Sequence, residues 1–441
     1  MRGRWTNDHS VSPARLRPGR HGARGAVQVG TGNGDAETRV VDGAARGTAV
    51  GVAEPETARQ YRFAGNTAVL APTGAAPGSA SDPHAAGGRR EPRVTAVIPA
   101  HNEEVGIAQT IASLRRQTRP PQRILVAADN CTDGTVEIAR ALGVDVLETR
   151  GNTAKKAGAL NQGLALVLAA MEPDDVVLSM DADSRLSPDF IERGLRYFEA
   201  YGKRGGISGS YVADDHPSRV GLLQKIEYSQ GLRTVHRRAG RIHVLSGAAA
   251  MFTVAALRAV ADARGSELIP GVPGQVYAET SLTEDYELTV ALQRLGYDPR
   301  CARDCRVVTD IMPTWSDWRT QRLRWQRGTL ETLMTYGFVA HTRKAWLVQA
   351  WTYFRSLVPL LMLAAWSYAV AFEELSLQLI WLAILPVFVL DQLLASWTSG
   401  RRGRRYAAVL LPMMVYDLAQ SVVNWQALSK ALHGAETEWV T

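Results

Sequence analysis

The stretch Asp175-Val176-Val177-Leu178-Ser179-Met180-Asp181-Ala182-Asp183 decides the fold. Its centre is a short apolar run bounded by acids, which reads as a strand buried on both faces. Its end carries two carboxylates two residues apart. Alternate residues on an extended chain point the same way, so Asp181 and Asp183 can share one divalent cation. Hard carboxylate oxygens suit Mg²⁺ or Mn²⁺, ions commonly completed by substrate phosphates. Asp-x-Asp pairs are frequent in surface loops. At the end of an apolar strand the pair is more informative, because acids buried there without a partner are costly.

Working outward, Val94 to Ile98 is another apolar run, ending at Pro99, and a helical stretch follows from about Glu104 to Arg116. Arg123 to Ala128 reads as a second strand and Thr135 to Leu142 as a helix. Val144 to Leu147 is a third strand, and Ala157 to Met171 a third helix. Strands alternating with helices at this spacing imply βαβ units and a mostly parallel sheet with flanking helices, an α/β fold. Ligands in such sheets bind beyond the carboxyl ends of the strands, where the polar motifs of this chain fall.

The ends differ from this middle. Residues 1–92 are basic and rich in Gly, Ala, Arg, Pro and Thr, with few large apolar residues. They are expected to be disordered, since little apolar burial offsets their ordering entropy, and they lack the apolar core of a signal peptide. Past residue 345 apolar segments appear: Ser356 to Phe372, Leu377 to Leu390, and a third opening over Ala407 to Tyr416. Each is near or slightly under the ~20 residues that cross a bilayer. Arg343 and Lys344 precede the first, Glu373 and Glu374 separate the first two, and Arg401, Arg402, Arg404 and Arg405 follow the second. The positive-inside rule puts the basic flanks in the cytosol and the Glu pair outside. Residues 345–428 are thus read as a multi-pass region of two or three transmembrane helices, with a tail at 429–441; a buried helical core is the alternative.

The formal charge of +7 and the basic pI near 9.4 call for an anionic partner: phosphate-bearing substrate, anionic lipid or nucleic acid. No zinc-finger, RNP-type or helix-turn-helix signature is present, so nucleic acid is not expected, and anionic lipid accounts for the juxtamembrane arginines. Three cysteines, Cys131, Cys301 and Cys305, are too few for a disulfide framework or a zinc site, and are read as structural.

Four further stretches carry chemistry. Thr283-Glu284-Asp285 opens a helical pattern; Thr as N-cap and acids at the positive dipole end explain much of it, while a carboxylate there can also act as a general base. Trp315 to Gly328 places Trp315 and Trp318 on one face of an amphipathic helix suited to a membrane interface, and brings Gln321, Arg324 and Trp325 together at i, i+3 and i+4. A flat indole can carry a sugar ring and a guanidinium can pair with pyrophosphate. Asp129-Asn130-Cys131-Thr132-Asp133-Gly134-Thr135 closes the second strand with acids and amides able to read a base edge, or serves simply as a turn with a cap. Lys155 and Lys156 enter a helix as a phosphate cradle, or as a solvated basic face.

In order, Val97-Ile98-Pro99-Ala100-His101-Asn102-Glu103-Glu104, the Asp129 to Thr135 run, Lys156-Ala157-Gly158-Ala159-Leu160-Asn161, Asp181-Ala182-Asp183, Ser246-Gly247-Ala248-Ala249, Thr283-Glu284-Asp285 and Gln321-x-x-Arg324-Trp325 resemble the family 2 glycosyltransferases. That inverting group includes cellulose, hyaluronan, chitin and poly-N-acetylglucosamine synthases. Each motif alone is weak; the ordered set, over about 94–330, is specific. The resemblance implies a GT-A nucleotide-diphospho-sugar transferase domain over 93–330, ending in the amphipathic interface helix and followed by C-terminal transmembrane helices. It implies Asp129 at uracil, with Pro99, Ala100, Asn102 and Glu103 beside base and ribose, and Lys156 near the diphosphate. Asp181 and Asp183 would hold Mg²⁺ or Mn²⁺ with the diphosphate, Asp183 as the more direct ligand. Asp285, with Glu284 beside it, would be the general base; Gln321, Arg324 and Trp325 would bind acceptor and pyrophosphate.

The expected partners are a UDP-sugar donor, a glycan or lipid acceptor and membrane lipids. The Ser246-Gly247-Ala248 and Asp129 to Thr135 stretches look most like the poly-N-acetylglucosamine and hyaluronan side of the family, which favours N-acetylglucosamine over glucose. No apolar span precedes the catalytic stretch, so export of a polymer is expected to need a partner or an oligomer, or not to occur. Two rivals stand beside a polysaccharide synthase: a non-processive transferase acting on a lipid, and a non-catalytic nucleotide-sugar-binding scaffold. The joint presence of Asp181, Asp183, Asp285 and Arg324 speaks against the scaffold.

Overall fold

The computed structural model describes residues 90–433, apart from 201–202, 238–239, 243, 373–385, 388 and 395. The expected disordered extension lies almost wholly outside the described residues. Strand β1 (Val94–Ala100) is buried along its whole length, as its uninterrupted apolar run requires of a central strand. It is followed by α1 (Ile107–Arg115), β2 (Arg123–Ala128), α2 (Thr135–Ala141), β3 (Asp145–Glu148), α3 (Lys155–Leu168) and β4 (Val176–Met180). After β5 (Arg185–Leu186) come α4 (Phe190–Ala200), β6 (Gly206–Ala213), α5 (Arg219–Arg237), β7 (Ala249–Thr253), α6 (Val254–Ala263), α7 (Glu284–Arg294) and β8 (Arg300–Thr309). The chain then runs through α8 (Trp315–Tyr336), α9 (Arg343–Ala371), α10 (Gly400–Ala408) and α11 (Leu411–Leu432).

The eight strands form one sheet in the order β3-β2-β1-β4-β7-β6-β8-β5. The first four are parallel to one another, as the βαβ spacing predicts. The other half is mixed: β7 runs antiparallel to both β4 and β6, β6 is parallel to β8, and β5 is antiparallel to β8. Pro99 sits inside β1 rather than after it. The pairing of β1 with β4 stops at Val97, so this residue without an N–H stands where one edge of the strand is already free.

Each face of the sheet carries its own apolar core. Leu125, Leu160, Phe252, Leu257 and Leu288 pack on one side; Ile98, Ile107, Leu178, Phe190 and Met251 pack on the other. Asp175, fully buried at the start of β4, is an anchor that sequence reading left as a strand boundary. Its carboxylate pairs with Arg90 and Arg93 at 2.7 and 2.9 Å, pinning the entry to β1.

Helix α8 continues to Tyr336, beyond the expected end of the catalytic stretch at 330. Its tryptophans do not share one environment. Trp315 is 41% exposed, whereas Trp318 is 1% exposed and faces Tyr416 of α11. Among the described residues, α9 is long and apolar enough to cross a membrane, with Leu361, Trp366 and Val370 exposed. The pair α10 and α11, bent by 84° at its break, passes the same test together. Most of the second apolar segment, Leu377 to Leu390, lies outside the described residues. Helix α11 packs on α8 and α9, where Asn424 Nδ2 donates to Ser356 Oγ at 2.8 Å.

Candidate active site

The polar motifs gather at the carboxyl ends of β1, β2 and β4. The loops after β1 and β2 are laced together: Asn102 Oδ1 accepts from Thr132 N (2.8 Å), Glu103 N donates to Thr135 Oγ1 (2.7 Å), and Glu104 N donates to Asp133 Oδ2 (3.0 Å). Asn102, Asn130 and Lys155, which border this site, have φ of 56°, 49° and 52°. Left-handed backbone at non-glycine residues costs energy and clusters where the surrounding structure must present groups in one geometry.

Pro99 and Ala100 form the buried floor as the last residues of β1. Asp129 is 6% exposed, and its Oδ1 accepts from Thr149 Oγ1 (2.7 Å), Asn152 Nδ2 (2.7 Å) and Asn130 Nδ2 (3.1 Å). Those donors hold the carboxylate in one orientation, and Oδ2 carries no hydrogen bond among the described residues. Asn152 also reaches Lys155 O at 2.7 Å, which ties this corner to the start of α3.

Lys156 is the electrostatic centre. Its Nζ lies 2.6 Å from Asp181 Oδ1 and 2.9 Å from Glu284 Oε1. Burial alone would lower its pKa, but Asp181, Glu284 and Asp285 together hold the ammonium well above its usual range. Asp285 Oδ2 accepts from Gly247 N at 3.0 Å and Oδ1 from Tyr286 N at 2.7 Å. Two neighbouring carboxylates facing one lysine divide their titration. Burial raises Glu284, but Lys156 more than offsets that and holds it low; burial and then the charge of Glu284 push Asp285 up to about 6.

Gly247 stands close against the lysine. A Cβ there would stand 2.6 Å from Lys156 Nζ. The loop before β7 therefore donates its bare backbone to Asp285 while leaving the lysine in place. Asn161, at the end of the Lys-Ala-Gly-Ala-Leu-Asn run, braces the segment leading to α7 by exchanging two hydrogen bonds of 2.9 Å with the Tyr277 backbone.

The expected capping role of Thr283 is not realised: its side chain makes no cap bond, and its Oγ1 is buried without a hydrogen-bond partner among the described residues. Gly328 of α8 explains why the contact is so close, since a Cβ on it would lie 2.6 Å from that oxygen.

Asp183 and Glu103 form a second acidic group. Burial raises Asp183 to about 7, with Asp181, Asp310 and Glu103 adding repulsion; burial raises Glu103 to about 7, with Asp181, Asp310 and Asp133 adding to it. Asp310 is itself raised, by burial foremost. It follows the last residue of β8 and carries no sequence signal, being a lone acid brought in by the crossover. Such mutually repelling oxygens suit a hard divalent cation. Among the described residues no three His, Cys, Asp or Glu stand close enough to hold a metal by themselves, so phosphate oxygens would have to complete its shell.

The Gln321, Arg324 and Trp325 set is only partly joined to this centre. Arg324 Nη1 donates to Leu282 O at 3.3 Å, just ahead of Glu284, and its charge helps hold Glu284 low. Gln321 Oε1 is buried without a partner among the described residues. Trp325 is 36% exposed and contacts Arg322, whose guanidinium carbon is 4.4 Å from the indole centroid.

A mixed α/β sheet carries an Asp-x-Asp pair, a lysine and a general-base candidate at its carboxyl edge, an arrangement of the GT-A type. Residues 95–261 match the family described as "Glycosyl transferase family 2". It is 25% identical over 256 residues to the "Poly-beta-1,6-N-acetyl-D-glucosamine synthase" of Staphylococcus epidermidis, covering 55% of each chain. It is 27% identical over 257 residues to the Bacillus subtilis "Probable glycosyltransferase YdaM", covering 56% of this chain and 57% of that one. The chain thus spans little more than half the length of these curated relatives. Among solved structures, a mannosyltransferase of Pyrobaculum calidifontis in complex with GDP-Man and Mn²⁺ superposes with a TM-score of 0.50 at 19% identity, over 76% of this chain and 88% of that one. That likeness establishes the fold.

Proposed function

We propose that this protein is a membrane-bound inverting glycosyltransferase that moves N-acetylglucosamine, or else glucose, from a UDP-sugar onto a growing β-linked polysaccharide. The observation that carries it is the convergence of Lys156, Asp181, Glu284 and Asp285 around the bare backbone of Gly247. Burial and then the charge of Glu284 push Asp285 up to about 6, within the range a general base uses. Asp285 takes the proton from the acceptor hydroxyl as its oxygen attacks the anomeric carbon, and the single displacement inverts that centre. Lys156 presents a fixed positive charge to the diphosphate. Asp129, oriented by its three donors, reads the uracil edge with Oδ2, and the Pro99 to Glu103 loop lies along base and ribose. Asp183 and Asp181 would hold a divalent ion, which would supply charge stabilisation to the departing UDP. Gln321, Arg324 and Trp325 receive the acceptor end.

Helix α9 is the anchor on this reading, with Arg343 and Lys344 at its cytosolic end and the Arg401 to Arg405 cluster against the same leaflet. A second reading, transfer to a lipid-borne acceptor, is favoured by one contact. Gln326 of α8 bonds Gln349 and Tyr353 of α9 at 2.7 and 3.2 Å, which brings the acceptor helix against the apolar one.

The test is UDP release by detergent-purified protein from UDP-N-acetylglucosamine and UDP-glucose with Mg²⁺ or Mn²⁺, with products sized on a gel. Metal-dependent release and a long product support a polysaccharide synthase. A short lipid-linked product supports the second reading. Absence of release with every UDP-sugar, from folded protein in lipid, overturns the donor assignment.

A further inference from the structure

We propose that Tyr416, on the C-terminal helix α11, is a positioning residue for Trp325 and acts on it through Glu227 and Arg322. The proposal rests on the reading of Trp325 as an acceptor-binding side chain.

A continuous line of hydrogen bonds joins the two ends. Trp318 Nε1–H donates to Tyr416 Oη at 2.7 Å, and Tyr416 Oη–H donates to Glu227 Oε2 at 2.6 Å. Arg322 Nη2 donates to the same carboxylate oxygen at 2.6 Å. The Arg322 guanidinium then covers one face of the Trp325 indole at 4.4 Å, with the Tyr228 ring 5.8 Å away. Trp318, Tyr416 and Arg322 are 1%, 3% and 4% exposed, whereas Trp325 is 36% exposed. The line therefore starts in a packed helix junction and ends on the one indole in it that a ligand can approach.

Two physical consequences follow. With one face of the indole occupied by a guanidinium, a sugar ring can stack only on the other, so the position of Arg322 fixes which way the platform faces. Arg322 is set in turn by Glu227, an acceptor shared between a guanidinium and a phenol. Removing the phenol leaves that carboxylate, whose side chain is 35% exposed, one protein donor short and freer to rotate. Helix α11 is itself held from two sides, by Asn424 to Ser356 of α9 and by Arg319 Nη2 to Gln426 Oε1 at 2.9 Å. It offers a firm backing from which Tyr416 can act.

The test uses the full chain in detergent or nanodiscs, with Tyr416→Phe, Arg322→Lys and, as a control, Gln426→Ala. The control breaks an α8–α11 contact that does not lead to Trp325. UDP release is measured without acceptor, where water takes the sugar, and against increasing N-acetylglucosamine oligosaccharide. Tyr416→Phe and Arg322→Lys are expected to raise the acceptor KM about tenfold, with acceptor-free release and kcat within about twofold of the parent. Gln426→Ala is expected to leave all three unchanged. Arg322→Lys keeps the charge beside Glu227 but loses the flat face, so it distinguishes indole placement from simple charge balance. An acceptor KM unmoved in both variants, or moved equally by Gln426→Ala, overturns the inference while leaving the catalytic reading intact. A parent protein that releases no UDP from any UDP-sugar overturns the donor assignment, and the inference falls with it.

Discussion

Helix α7 carries two buried acidic turns that meet opposite fates. Glu287 is 4% exposed and gripped by Arg264, itself 2% exposed: Nη1 bonds Oε1, Nη2 bonds Oε2 at 3.0 Å, and Tyr336 Oη donates to Oε1 at 2.5 Å. The rest of the guanidinium is taken up by the carbonyls of Pro270, Gln275 and Val276. One turn earlier, Glu284 and Asp285 face Lys156, and Asp285 accepts backbone N–H bonds from Gly247 and Tyr286. Both sites are desolvated. One is charge-matched with every donor used; the other has more carboxylate than cation. A matched buried pair is a structural fixture, whereas a mismatched one keeps a group whose charge can change during a reaction. The same helix thereby fixes its own position with one turn and, on the proposed function, presents its base with the previous one.

The sharpest way to break this contrast is to exchange the phenotypes. Asp285→Asn should lower kcat by about 10³-fold with no loss of folded protein, measured by UDP release and by thermal unfolding in detergent. Glu287→Ala should do the reverse first. It strands the Arg264 guanidinium in the interior, costing about 3–5 kcal/mol, seen as a large fall in the unfolding midpoint. If Glu287→Ala unfolds normally and only activity suffers, the division between the two turns is wrong.

Gly247→Ala tests the middle ground, because its methyl would collide with Lys156 Nζ. An activity loss of about 10–100-fold is expected, with a midpoint shift much smaller than that of Glu287→Ala. The pH profile gives a finer reading. Asp285 must be ionised to act, so kcat/KM should rise with pH through about 6 and then level off, losing that limb in Asp285→Asn.

The linked stability effect has the opposite sign. A folded-state pKa raised above the unfolded one favours the protonated form, so the stability tied to Asp285 is full below its ordinary value of 3.8 and is lost as pH rises through about 6. Asp285→Asn should therefore raise the unfolding midpoint relative to the parent more at pH 8 than at pH 5. The smallest effect is expected of Tyr336→Phe, which removes one of several bonds to Glu287 and should cost about 1–3 kcal/mol with kcat unchanged.

Much of the catalytic half was legible because its signals are local. The apolar runs at Val94, Arg123 and Val176, each followed by polar residues, mark parallel strands and where their ends lie. Asp181, Asp183, Lys156, Glu284 and Asp285 stand out as short motifs at those ends. The mixed half of the sheet was not legible, since strand direction in β5 and β7 depends on chain reversals and carries no periodicity of its own. Thr283 misled because the local rule for a helix cap does not know that Gly328 of α8 closes over it.

What the sequence determined by itself is the set of elements and the short-range chemistry: a strand's period and the two carboxylates at its end are properties of a few adjacent residues. Tertiary structure alone decided which charges meet. It set Asp310 among the Asp183 group, paired Arg264 with Glu287, and brought Tyr416 to Glu227 and Arg322. Coulombic and hydrogen-bond energies fall off over a few ångströms, and residues far apart in the chain come that close only when the sheet and helices have packed.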